Sequence, residues 1–165
     1  MSDYLSTALG PDHEVGAFRC GRPPLDAWLQ QQARRAQEAG TARTYVWTKP
    51  GSVDVLAYYS IAPTQVTKDE VPKSLTGGYR TIPEYLLARL ALDQSLHGAG
   101  LGAELLIDAL GRIVEASTAG GGRLVVVDAM DEQAHAFYRR FDFKPVEGAM
   151  RLHLKIATAR AVLGL

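Results

Sequence analysis

His97-Gly98-Ala99-Gly100-Leu101-Gly102 runs without a break into AELLIDALGRIVEAS, residues 103–117. Leu101, Leu105, Leu106, Ala109, Leu110, Ile113 and Val114 share one stripe at helical spacing, so the run predicts an amphipathic helix opening at the glycines. In front lies EYLLARLALD, residues 84–93, a near-continuous apolar run that predicts a buried central strand. A strand, a glycine loop and a helix in that order make an anion site. The first N–H groups of a helix lack partners, and its dipole places about half a positive charge there. Gly98, Gly100 and Gly102 let the backbone approach a phosphate and take positive φ where required. A plain strand-to-helix turn needs fewer glycines, so the expected ligand carries a phosphate or pyrophosphate.

Outward from this stretch the chain alternates helix and strand. Residues 1–22 read as irregular. Pro23-Pro24 opens a helix, proline being tolerated in the first turn, and LDAWLQQQARRAQEAG carries it to Gly40, a stop signal. ARTYVWTK (42–49) and SVDVLAYYSIA (52–62) read as a hairpin around Lys49-Pro50-Gly51-Ser52. Residues 64–84 read as a loop with one short helix. RLVVVDA (123–129) is a second buried strand. DEQAHAFYRRF (131–141) is a short helix with Ala134, Phe137, Tyr138 and Phe141 on one face, and FKPV and AMRLHLKI are closing strands. No repeat or low-complexity segment interrupts this order. It predicts a three-layer α/β domain with mixed pairing, one domain over residues 1–165.

Composition narrows the function. Of 165 residues 47% are apolar, and 18 basic side chains balance 18 acidic ones. A chain this long buries roughly two-thirds of its unfolded surface and needs no metal or disulfide to fold. Zero net charge excludes a polycation that holds nucleic acid by bulk charge alone. Locally, residues 92–136 hold seven acids and two bases, whereas 137–165 hold six bases and two acids. The basic tail is a solvated face or a docking surface for an anion. Cys20 is the single cysteine, which points to a reducing cytoplasm. His13, His97, His135 and His153 never fall at i, i+4, so no helical metal site is expected. The start of the chain lacks the pattern of a signal peptide, and no apolar run reaches ~18 residues, so no membrane span is expected.

Three phosphate ligands compete for the glycine loop. A P-loop is excluded, since no Gly-Lys-Ser/Thr occurs. Gly98, Gly100 and Ala103 satisfy the dinucleotide fingerprint G-x-G-x-x-A, and Asp128 stands where a ribose-binding acid could sit. That fingerprint belongs in a first βαβ unit, whereas here a helix and a hairpin precede it and only 37 residues follow Asp128. Coenzyme A remains. His97 to Gly102, the preceding LARLALD and the following AFYRRFDF resemble the GNAT acyltransferases. In that family the loop reads Gln/Arg-x-x-Gly-x-Gly/Ala, and a Phe-Tyr helix ends in Gly-Phe. His97 replaces Gln or Arg, and Asp142 replaces the glycine before Phe143. FRCGRPPLDAWLQQQA (18–33), TARTYV (41–46) and LAYYSIAP (56–63) resemble the GNAT toxins of bacterial toxin–antitoxin pairs. The similarity runs from about residue 16 to about 155.

The resemblance implies a GNAT fold, a mixed central sheet with helices on both faces. It implies an acetyl-CoA-dependent N-acetyltransferase acting on the α-amine of charged tRNA. A ribbon-helix-helix antitoxin, a homodimer and a cytoplasmic location come with it. Leu90, Ala91 and Leu92 should contact the acetyl group and pantetheine arm. His97, Gly98, Ala99, Gly100, Leu101, Gly102 and Ala103 should cradle the pyrophosphate. Tyr138 takes the place of the family's general acid. The neutral net charge departs from the basic surface typical of the toxins, which keeps a small-molecule or protein amine open as acceptor.

The chemistry fits these residue types. An α-amine has a pKa of ~7.7–8.0 against ~10.4 for lysine, so roughly a tenth of it is neutral at pH 7 and no strong base is needed. A phenol of pKa ~10 can protonate a nascent thiolate of pKa ~8.5. Arg89, inside an apolar strand, requires an ion-pair partner or a substrate anion. His97 caps the loop, meets phosphate or stands solvated in the loop, and His135 reads as surface. Trp28 and Trp47 read as core, Arg34, Arg35 and Arg43 as solvated or phosphate-facing, and Asp128 as a cap of the Phe-Tyr helix. A non-catalytic acyl-CoA-binding module remains as the reading from another class; retention of Tyr138 argues against it.

Overall fold

Leu124, Val125, Val126 and Val127 are almost wholly buried, as a continuous apolar run requires. They form β5 (Leu124–Asp128), which pairs in parallel with β4 (Thr81–Leu92) and antiparallel with β7 (Arg151–Lys155). A computed structural model describes residues 3–165. The other strands are β1 (Leu5–Ala8), β2 (Arg43–Thr48), β3 (Ala57–Thr67) and β6 (Lys144–Pro145). They complete a seven-stranded mixed sheet in the order β1-β2-β3-β4-β5-β7-β6. The helices are α1 (Pro23–Gln31), α2 (Ala33–Ala39), α3 (Lys73–Thr76), α4 (Leu101–Gly120), α5 (Glu132–Arg139) and α6 (Ile156–Val162).

The chain clusters into two units, one of Met1–Ala62 with Arg89–Ala109, the other of Pro63–Ala88 with Leu110–Leu165. In the first, Phe18, Leu29, Ala33, Val46 and Tyr58 sit in one core, with Leu25 and Trp28 packed on it. In the second, Val66, Val71, Leu75, Ile82 and Leu124 form a core.

Several elements depart from the sequence reading. Residues 5–8 form an edge strand, Leu5 opposite Thr48 and Ala8 opposite Tyr45. Three of its four side chains are exposed, so hydropathy carries no trace of it; the backbone ladder and the Ser6 hydroxyl, which donates to Asp108, hold it. The helix expected from Pro23 to Gly40 is two helices. Gln32 between them has φ −119°, although its N–H still reaches the Trp28 carbonyl at 2.8 Å. Gly40 ends the second in the left-handed conformation at φ 75°. Residues 52–56 do not extend the hairpin. Asp54 pairs with Glu14 in an isolated parallel bridge, the Val55 N–H donating to the Glu14 carbonyl, and β3 begins at Ala57 and runs on to Thr67. After β7 the chain turns into α6, which buries Ile156 and Ala159; Ile156 had read as the end of a strand.

Asp128 does not cap α5. Asp131 does, its carboxylate accepting the Ala134 N–H at 2.8 Å, while Asp128 takes a two-pronged bond from Arg151 at 2.7 and 2.9 Å. Asp142 adopts φ 67°, the conformation of the glycine it replaces, and directs Phe143 into the core at 2% exposure. An L-residue is strained there by about 1 kcal/mol, aspartate less than most. Asp142→Gly is therefore expected to raise the unfolding free energy by about 0.5 kcal/mol, measured by urea denaturation. A loss of stability would show that the aspartate side chain outweighs the strain.

Candidate active site

The end of β4 and the start of α4 are joined by a short clamp centred on Asp93. Its Oδ1 accepts the Arg19 N–H at 2.9 Å, and its Oδ2 accepts the Ser95 N–H at 3.0 Å and the Ser95 hydroxyl at 2.7 Å. Its own N–H donates to the Leu56 carbonyl at 2.8 Å, and the Gln94 N–H donates to the Arg19 carbonyl at 2.7 Å. Partial burial raises the carboxyl pKa, but the bonds from Arg19 and Ser95 outweigh it and leave the group below its ordinary value. The tight turn Gln94–Leu96 follows, with Leu96 buried. His97 then reaches back, its Nε2 lying 2.9 Å from the Leu92 carbonyl. A carbonyl only accepts, so Nε2 carries the proton. His97 thus ties the loop to the strand end.

Gly98 and Gly100 follow at φ 82° and 75°. A Cβ built at either would meet nothing within 4 Å, so backbone conformation, not packing, demands glycine. The loop from His97 to Gly100 is exposed and α4 opens at Leu101, with Leu101, Gly102 and Ala103 half-buried in its first turn. These residues and the strand end Leu90, Ala91 and Leu92 are contiguous through the His97 bond. An exposed loop with unpaired N–H groups at a helix start suits a diphosphate.

Tyr138 lies on α5 in the other unit, 9% exposed and packed edge-on against Phe137, with Phe143 beside it at 5.4 Å between ring centres. Burial pushes its phenol up to about 12, so it stays protonated through the neutral range. Among the described residues its hydroxyl has no hydrogen-bond partner.

Among the described residues Arg89 has no carboxylate partner. Its guanidinium stacks 3.8 Å above the centre of the Trp28 ring. Trp28 is half-buried and touches the core rather than filling it. Trp47 is core, at 2% exposure, with its Nε1–H directed at Asp108 Oδ2 at 3.3 Å. Arg34 serves structure, donating to the Gly10 and His13 carbonyls, whereas Arg35 and Arg43 are exposed. His135 is half-buried on α5.

Two polar sites escaped sequence reasoning. Asp108 Oδ2 gathers Ser6, Trp47 and Tyr59, the last at 2.8 Å. In the other unit His153 and Glu84 are each 1% exposed at the side chain, with Nε2 and Oε2 3.2 Å apart. Each sits in a strand that reads as apolar, and pairing across strands has no signature in one sequence. Cys20 is buried, and burial and Asp26 push its thiol up to about 11, which makes it unreactive.

No family model matches the chain. Over 168 residues, 99% of each chain, it is 35% identical to a tRNA-acetylating toxin of Mycobacterium tuberculosis. It is 28% identical to AtaT complexed with acetyl-methionyl-tRNAfMet, with a TM-score of 0.88 over 97% of this chain and 99% of that one. It is 26% identical to a tyrosine-to-phenylalanine mutant of AtaT bound to the C-terminus of the antitoxin AtaR and acetyl-CoA, with a TM-score of 0.85 over 99% and 100%. Fold and glycine loop together define a GNAT-type acetyltransferase. Within that class, the chain belongs to the family of tRNA-acetylating toxins.

The clamp is open to test through acid. A carboxyl held below its ordinary value stabilises the fold fully above about pH 4, and that stabilisation is lost as pH falls through the folded value. Asp93→Ala should cost about 1 kcal/mol near neutrality, the size of a lost cap. The difference from wild type, read by urea unfolding, should shrink steadily toward about pH 2. A difference independent of pH would mean that the charge of Asp93 is not what holds the turn.

Proposed function

We propose that this chain is a single GNAT domain that transfers acetyl from acetyl-CoA to the α-amine of the amino acid on charged tRNA, and so stops translation. The observation that carries this reading is the exposed glycine loop at the opening of α4 in a chain similar end to end to a tRNA-acetylating toxin. When bound, acetyl-CoA supplies an acetyl group activated as a thioester. Gly98, Ala99, Gly100, Leu101, Gly102 and Ala103 hold its diphosphate by backbone N–H groups, with His97 at the head of the cradle, its own N–H bonded to the Gln94 carbonyl. Leu90, Ala91 and Leu92 line the pantetheine arm, and a backbone N–H of this segment polarises the carbonyl.

The neutral amine forms the new C–N bond as the C–S bond breaks. Tyr138 gives its proton to the leaving sulfur and regains one from the amine through water. Its elevated pKa keeps the phenol protonated at neutral pH, so it carries a proton to give and cannot serve as a base there, which fits an acceptor already partly neutral. Arg89 holds an anionic group of the acceptor.

No helix among the described residues is long and apolar enough to cross a membrane. We assign the chain to the cytoplasm because charged tRNA, the acceptor of this reading, is found there. A homodimer is the working assembly of this reading, and a ribbon-helix-helix antitoxin its inhibitor. The mutant of AtaT bound to the C-terminus of AtaR supports a proteinaceous inhibitor. Equal numbers of acids and bases favour a second acceptor, a small-molecule or protein amine.

Labelled acetyl-CoA with charged and uncharged tRNA separates the two. Label is expected on charged tRNA only. Tyr138→Phe should bind CoA within about twofold of wild type and lose about 100-fold or more in kcat. Label on a free amine but on neither tRNA would move the assignment to the second acceptor, and unchanged kcat in the mutant would remove Tyr138 as the acid.

A further inference from the structure

Arg89 sits in an unusual setting for a cation. Its guanidinium is partly buried, which lowers its pKa, yet among the described residues no carboxylate pairs with it. What supports it is a stack. Trp28 lies beneath it at 3.8 Å, and Tyr58 lies nearly parallel to Trp28, at 9° and 6.1 Å between ring centres. The stack is anchored. Tyr58 is fully buried, its hydroxyl donates to the Leu25 carbonyl at 2.7 Å, and Phe18 meets it edge-on at 5.5 Å. That bond ends on α1, the helix that carries Trp28.

We infer that Trp28 is a positioning residue for the acceptor substrate, holding Arg89 so that its guanidinium edge receives a phosphodiester of the single-stranded RNA end that carries the amino acid. The inference rests on the tRNA reading above. Its physical basis is the shape of the group. A guanidinium stacked by its face on an aromatic ring keeps all its N–H bonds in the plane, pointing away from the ring. The ring offsets part of the desolvation without using up a donor, as a carboxylate would. The fork is left to make two parallel bonds to a phosphate, an arrangement that lysine cannot reproduce. A carboxylate partner at this place would instead neutralise the charge and repel the RNA.

The test titrates a fluorescent RNA oligonucleotide ending in CCA against the full chain by anisotropy, beside the KM for acetyl-CoA and urea unfolding. Trp28→Leu and Arg89→Gln are each expected to weaken RNA binding about tenfold, the size of a desolvated cation–π contact. The double variant should be no weaker than the weaker single one, because both changes remove one device. Trp28→Phe keeps a ring and should recover most of the affinity, and the KM for acetyl-CoA should not move in any of them. The inference is overturned if Trp28→Leu binds RNA like wild type, if the two effects add, if acetyl-CoA KM rises in step, or if wild type binds no RNA. RNA binding that follows this pattern without acetylation of charged tRNA would overturn the function proposed above and leave the role of Trp28 standing.

Discussion

Asp93, through its carboxylate and its backbone N–H, joins three parts of the chain that hydrophobic burial alone could not align. One oxygen takes the N–H of Arg19 from the segment before α1, the other the N–H and hydroxyl of Ser95, and its own N–H reaches Leu56 ahead of β3. The turn, the His97 bond to Leu92 and the first positive φ at Gly98 all follow from that point. The glycine loop has no packing of its own to fix it, since a side chain at Gly98 or Gly100 would touch nothing. Its geometry is inherited from the clamp before it and the helix after it. A loop bound on both sides and bare in the middle keeps its N–H groups free for a ligand without the ordering cost of a floppy segment.

The same unit uses a second carboxylate differently. Asp108, in the first half of α4, draws donors from β1, β2 and β3 onto a single oxygen. It ties the helix to strands whose edge member is too polar to be held by burial. Direction as well as distance is set by such a node, because each donor must point at one atom. Helix α4 is thus oriented by hydrogen bonds at its side and presents its N-terminus to solvent at its end.

What could be read in the sequence was whatever a backbone requirement or an apolar run demands. The glycine loop, the stripe of α4 and the valines of β5 each leave a periodic or positional trace. Asp142 was visible as a departure from a glycine, and the structure shows it simply adopting the glycine's conformation. The trace fails where polar atoms do the work. β1 has no apolar pattern, and Asp93 looks like any residue at a strand end. The partners of Asp108 and of His153 lie far away in sequence. Trp28 reads as core because a tryptophan on an apolar helical face normally is. Only the structure reveals the cation over its ring. Leu90 to Leu92 and Tyr138 came from resemblance, and spacing alone would have left Tyr138 as one more apolar face residue.

Acceptor chemistry and residue chemistry constrain each other. An amine of pKa near 8 offers roughly a tenth of its molecules in reactive form at neutral pH, whereas lysine would need a base to supply one. The phenol of Tyr138, raised by burial, cannot be that base. Glu84 is no free base either, since it is buried against His153 rather than open to solvent. These groups therefore fit an acceptor that arrives deprotonated and needs only a proton for its leaving group. The neutral total charge is compatible with an RNA-borne acceptor if recognition rests on a few well-placed cations. A guanidinium fixed on a ring gives up less side-chain freedom on binding than a mobile one, and Arg89 over Trp28 is a guanidinium of that kind.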